Sequence, residues 1–270
     1  MKRPLVLLSL YIAATSTTLS QQYKQLTDVP SIYIETENRR SITSKENYIK
    51  CTLIYVDGDS TARYENTEIR GRGNSTWWNS DKKAYRIKFE KKQRLLGPDF
   101  ANARSWTLLA NHGDKTLMRN ALTYDLGRFM GMAFCPAARF VDLYLNSDYR
   151  GCYQISDQVE VRPHRVNITE QDLPLTDESD ISGGYLLEVD GFRDGNYFTT
   201  KTYQVPIRIH YPDDEDITYS QNNYIRQYMN DFEAVLSGSN FADADNGYRA
   251  WVDSMSGPRF SASHTKGFVP

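Results

Sequence analysis

Cysteine is scarce in this chain of 270 residues: Cys51, Cys135 and Cys152, with no Cys-x-x-Cys spacing and only four histidines. Three thiols cannot all pair within one chain, which excludes a disulfide framework, and the spacings exclude a zinc finger or ribbon. Cys135 and Cys152 flank a predicted strand pair and are placed to bridge, with buried free thiols as the alternative. An excess of one charge is also lacking. With Lys+Arg 32 against Asp+Glu 34, a net charge of −2 and a pI near 6.1, nothing draws the whole molecule to nucleic acid or an anionic membrane. Any anion binding must therefore be local.

Long hydrophobic runs are confined to Leu5–Ala14, which is too short to span a bilayer. Lys2 and Arg3 precede it and small, polar residues follow to Ser20. This pattern predicts a secretory signal peptide over residues 1–20, cleavage near Ser20–Gln21, and a secreted, extracytoplasmic product. No cysteine follows closely enough for a lipid anchor. Hydrolase signatures are missing as well: there is no Ser-His-Asp order, paired-carboxylate motif or metal-binding His motif.

What is present is a globular composition, 40% hydrophobic and 13% aromatic, in a chain long enough to bury a substantial core. Alternating patterns predict strands at Ser31–Ile34, Tyr48–Val56, Glu65–Arg70 and Ala84–Phe89, separated by polar turns such as Asp57-Gly-Asp. Near-helical spacing of Leu117, Leu122, Leu126, Phe129 and Met130 predicts a helix over Lys115–Met130, with Asp114 as cap and Gly131 as terminator. Phe140–Leu145 and Gly151–Val161 then read as a hairpin around Asn146-Ser-Asp. Strands at Tyr185–Val189 and Tyr203–His210 and an amphipathic helix at Tyr219–Leu236 complete the pattern. The acidic run Asp213–Asp216 lacks the spaced oxygens of a calcium loop and reads as a solvated loop.

The densest chemistry lies in Ile69-Arg-Gly-Arg-Gly-Asn-Ser-Thr-Trp77 and Lys82-Lys-Ala-Tyr-Arg-Ile-Lys-Phe89. Glycines at 71 and 73 allow close backbone approach to an anion, and Arg72 and Asn74 supply donors. Period-2 alternation puts Arg86 and Lys88 on one strand face, with Lys82 and Lys83 at its mouth. Lys83 is the first candidate for a phosphate contact, with Arg86 and Lys88 as competitors. Taken alone, the same residues also describe a solvated strand guarded by cations. Glu188 and Asp190 leave an apolar strand, where an inward carboxylate needs a partner or a metal.

These two segments, with Arg104–Asn120, Phe140–Asn146 and Gly183–Asp190 in the same order, resemble the CotH kinase family, the spore-coat protein H type of atypical protein kinase. The resemblance implies an α+β, degenerate protein-kinase-like fold with a β-rich N-terminal lobe and one helix packed on its sheet. It also implies transfer of phosphate from ATP, with Mg2+ or Mn2+, to Ser or Thr of surface or secreted proteins. Asp157 and Gln158 then fall in the hinge that would hold adenine, although the family more often has Glu at the first position. On that reading the domain runs over residues 21–254, and residues 255–270 form an unmatched tail. The family's metal-binding carboxylates and catalytic base are not identified in this chain, so its C-terminal lobe is read as incomplete. A non-catalytic surface interaction or adhesion module on the same scaffold is the alternative. A carbohydrate-binding β domain, suggested by 19 Tyr and 4 Trp, is a third reading, but Trp77 and Trp78 beside the motif read better as packing.

Overall fold

The computed structural model describes residues 23–171, 175, 180–193, 195–248 and 251. The expected leader at 1–20 and tail at 255–270 lie outside them. The chain divides into two compact units, Met1–Ala121 with Ala137–Gln158, and Leu122–Pro136 with Val159–Pro270.

In the first unit, the period-2 alternation closes a sheet on itself. Its strands are β1 Ser31–Thr36, β2 Ile49–Asp57, β3 Ser60–Arg72, β4 Ala84–Gln93, β5 Ala103–Leu109, β6 Ala138–Leu145 and β7 Asp148–Asp157. They form a closed barrel in the order β1-β2-β3-β4-β5-β7-β6. Parallel pairing of β1 with β6 makes the seam, and every other pair is antiparallel. Ile32, Ile34, Leu53, Ile69, Ile87, Trp106, Leu108, Val141, Leu143 and Ile155 fill the interior at 0% exposure. A barrel of this strand number is filled by side chains and leaves no pore. Cys51 shares that interior, where burial pushes its thiol up to about 12. All three cysteines are free.

Turn chemistry fixes the register. Gly58 takes φ +60° between β2 and β3, and Asn146 and Ser147 both have positive φ between β6 and β7, as a two-residue hairpin requires. Strand β5 has no counterpart among the expected elements. Ser105, Trp106, Thr107 and Leu108 are all buried, so both faces of the strand are covered and its sequence loses the alternation of a half-exposed one.

A short α1, Ser75–Trp78, follows β3, and α2 spans Arg119–Phe129. The helix expected to start at Lys115 begins four residues later. Asp114 accepts from the Thr116 and Arg119 amides, and Leu117 is left-handed at φ +61°, so residues 114–118 form a turn. The expected burial of its leucine stripe is also corrected. Tyr124 and Gly127 are the buried residues of α2, whereas Leu122, Leu126 and Phe129 are exposed.

The second unit contains an antiparallel sheet, β8 Leu186–Val189, β10 Pro206–Tyr211 and β9 Tyr197–Thr199, in the order β8-β10-β9. Helix α3, Tyr219–Ser237, starts with a capping box between Thr218 and Gln221. Its Ile225 packs with Tyr185, Leu187, Phe198, Ile207 and Ile209. Buried Glu233 accepts from the Thr200 hydroxyl at 2.5 Å and from the Thr202 and Tyr203 amides, which pins the turn between β9 and β10 to the helix. Arg208 forks onto Asp214 at 2.7 and 2.6 Å and holds that carboxyl below its ordinary range. The acidic run is exposed, as expected, but one of its members is thus a structural partner. Mostly β with few helices, the chain fits the coarse α+β expectation.

Candidate functional site

The same strands that turn Ile69, Ile87, Trp106 and Ile155 inward turn a polar set outward. Arg70 of β3 lies opposite Arg86 of β4, Arg86 opposite Thr107 of β5, and Thr107 opposite Ser156 of β7. Directly opposed residues share a face and bring their Cβ atoms to about 5 Å, so this register forms one row across four strands. A second row holds Glu68, Lys88 and Ser105, with Lys88 Nζ 3.9 Å from the Glu68 carboxylate. On the other side Arg72 lies opposite Ala84, and Gln154 opposite Leu109.

Arg70 and Arg86 are the anomaly in this face. Like charges directly opposed in a sheet destabilise it, and among the described residues neither guanidinium has an ion-pair partner. Each Nε is buried with no hydrogen-bond partner. The compensation visible for Arg70 is aromatic: its Cζ lies 4.9 Å from the centroid of the Tyr48 ring, and Lys88 Nζ lies 5.5 Å from the same ring. A buried donor left unpaired costs about 1–3 kcal/mol. Two adjacent ones on cations describe a place an oxyanion would fill.

Thr107 donates to the Ser156 carbonyl, and Ser156 Oγ to the Ala137 carbonyl. Gln154, fully buried, accepts from Asn111, which in turn accepts from Asn120 at the start of α2. Its own Nε2 is buried without a partner. A chain of amides therefore anchors the turn before α2 to this sheet.

The remaining expected residues have defined places. Lys83 Nζ donates to the Trp77 carbonyl at 2.6 Å and lies 5.5 Å from the Trp77 ring centroid. Lys82 Nζ donates to the Cys152 carbonyl at 2.5 Å, over the Tyr153 ring, and burial lowers its pKa. Both lysines at the mouth of β4 thus hold backbone carbonyls in this structure. Asn74 precedes α1 and accepts from Lys45 at 3.0 Å. Its neighbouring glycines serve packing as well as freedom. A Cβ on Gly71 would meet the Trp77 ring at 2.4 Å, and Gly73 has φ +97°. Arg72 ends β3 beside Arg70.

Asp157 ends β7 opposite Trp106, on the face opposite to Ser156, and its carboxylate accepts from the Ala137 amide at 3.0 Å. Gln158 follows it directly, outside the strand. Glu188 belongs to the second unit, where its carboxylate lies 2.5 Å from His210 Nε2. Arg119 pairs with Asp114 at 3.5 Å, and Asp125 pairs with Arg128.

Arg70 and Tyr48 were not among the residues the sequence singled out. Period 2 places Arg70 on the face of Glu68 and Arg72, but its position beside Arg86 depends on a register that the excursion from Gly73 to Lys83 hides. Among the described residues, no group of three or more His, Cys, Asp or Glu side chains is arranged to hold a metal ion.

No curated protein matches the chain significantly. The profile of the CotH kinase protein family matches residues 69–255, a span that opens on the residue before Arg70 and takes in the whole polar row. With well over half of its length matched, the chain belongs to the CotH kinase family.

Proposed function

We propose that the protein is an extracytoplasmic protein kinase of CotH type, which transfers the γ-phosphate of ATP to Ser or Thr of surface or secreted proteins. The observation that carries this reading is the side-by-side pair Arg70 and Arg86, with its unpaired Nε donors, inside the matched span. Phosphoryl transfer asks a protein chiefly for positioning and charge neutralisation. Guanidinium forks match phosphate oxygens better than ammonium groups do. Arg70 and Arg86 would hold the ATP phosphates, and Arg72 and Lys88 would add charge at the rim. Backbone groups next to Asp157 and Gln158 would face the purine.

In the reaction a bond forms between the acceptor oxygen and the γ-phosphorus, the bond to the β–γ bridging oxygen breaks, and the hydroxyl proton leaves to a base. The described residues assign neither that base nor a metal site, so no step is routed through them. Family membership brings Mg2+ or Mn2+ as the expected companion of ATP. No helix among the described residues is long and apolar enough to cross a membrane.

The test is incubation of the purified chain with γ-labelled ATP, Mg2+ or Mn2+ and candidate surface proteins, followed by phosphoamino-acid analysis. Label in phosphoserine or phosphothreonine is expected. ATP binding without transfer to any protein would replace the kinase reading with that of a nucleotide-regulated interaction module.

A further inference from the structure

Two Asn-x-Thr sequons stand in the chain, Asn74-Ser75-Thr76 and Asn167-Ile168-Thr169. In this motif the carboxamide nitrogen takes a sugar and the hydroxyl two residues on is read with it, so both belong together at the surface. Extended backbone presents them so, because side chains two apart share one side. On a helix, residues two apart do not face each other.

The two sequons fold differently. In the first, Thr76 lies within α1, Asn74 Oδ1 already accepts from Lys45 Nζ at 3.0 Å, and the Asn74 carbonyl accepts from the Trp77 and Trp78 amides. In the second, residues 167–169 belong to neither helix nor strand, and burial alternates along them. Val166 and Ile168 are 1% and 6% exposed and pack with Phe134 and Leu186, whereas Asn167 and Thr169 are exposed. The backbone is held from its inner side. A Cβ on Gly184 would meet the Thr169 carbonyl at 2.2 Å, and the Gln171 amide donates to the Tyr211 hydroxyl at 3.0 Å. The outward side chains take no part: among the described residues, those of Asn167 and Thr169 make no hydrogen bond. The fold thus fixes this segment as an extended sequon while using neither of the groups that a glycan transfer needs.

We propose that Asn167 is the N-glycan acceptor of this chain, taking an oligosaccharide from a lipid-pyrophosphate donor in a secretory compartment. In that transfer the bond from the anomeric carbon to the pyrophosphate oxygen breaks, and the anomeric carbon bonds to Asn167 Nδ2. One Nδ2 proton is lost and the lipid pyrophosphate leaves. A bulky hydrophilic group at Asn167 stays on the solvent side and leaves the packing of Val166 and Ile168 untouched. The inference rests on the extracytoplasmic route proposed above.

The test is translation of the full chain with microsomes that carry the donor and its transferase. The chain is given its own leader and, in parallel, a leader of known function, and is read by protease protection and by electrophoresis before and after peptide N-glycosidase. The protected chain is expected to be heavier by one glycan, which the glycosidase removes. Asn167→Gln and Thr169→Ala should each abolish the shift, and Asn74→Gln should keep it. A protected chain without a shift, or one whose shift depends on Asn74, would overturn the proposal. Protection and a shift through Asn167 behind the foreign leader alone would support the acceptor and overturn the extracytoplasmic route.

Discussion

The inner and outer faces of strands β3, β4, β5 and β7 are built from alternate residues of the same segments, yet they answer different demands. Inside, Ile69, Ile87, Trp106 and Ile155 are fully enclosed, and the Trp106 indole donates to the Ala103 carbonyl at 3.0 Å. Folding alone accounts for every one of them. Outside, the same register aligns two arginines with unpaired Nε atoms. The Tyr48 ring offsets only part of that cost, for Arg70, and replacement by apolar residues of similar length would relieve the rest. Groups that a fold does not need mark where it meets a ligand.

Four substitutions sharpen this contrast. Trp106→Ala removes the largest interior side chain and should cost about 3–5 kcal/mol, read as a lower urea midpoint. A cost below about 1 kcal/mol would mean that the barrel interior is not the stabilising core. Lys83→Met loses a hydrogen bond to the Trp77 carbonyl and should destabilise by about 1 kcal/mol, with ATP affinity changed less than threefold. A tenfold loss of affinity would make Lys83, instead of the arginines, the principal phosphate ligand. Arg70→Met with Arg86→Met should leave stability unchanged or raise it by up to about 1 kcal/mol through relief of like-charge repulsion. Marked destabilisation would return the pair to a structural role.

The smallest effect involves neither face. The Arg119 amide, with help from Thr116, holds the Asp114 carboxyl below its ordinary range. A depressed folded pKa contributes stability that is full above the unfolded value and is lost as pH falls through the folded one. The Arg119 amide resonance should therefore titrate with a midpoint below that of an ordinary aspartate, and Asp114→Asn should abolish the titration. A midpoint at the ordinary value would remove the contact.

Much of the barrel was legible in the sequence because alternation reports half-exposed strands directly: β1, β2, β4 and the β6–β7 hairpin stand close to where the pattern puts them. Closure was not, since the β1–β6 seam pairs Ser31 with Asp142, over a hundred residues away, and no local pattern encodes it. Helix α2 shows the opposite failure. Its apolar spacing is helical, but periodicity tells which residues share a face and not whether that face is covered. At the candidate site, the shared face of Arg86 and Lys88 followed from period 2. The engagement of Lys83 with Trp77 did not, because it depends on the short turn of α1 lifting a carbonyl back toward the strand.

The most direct test of the account is calorimetric titration of ATP into the wild-type chain and into the Arg70→Met, Arg86→Met double variant at low and physiological salt. The account predicts saturable binding by the wild type that weakens with salt, and at least tenfold weaker binding by the variant, about 1.4 kcal/mol, with its thermal midpoint preserved. Equal affinity in the two proteins, or no binding by the wild type, would contradict it.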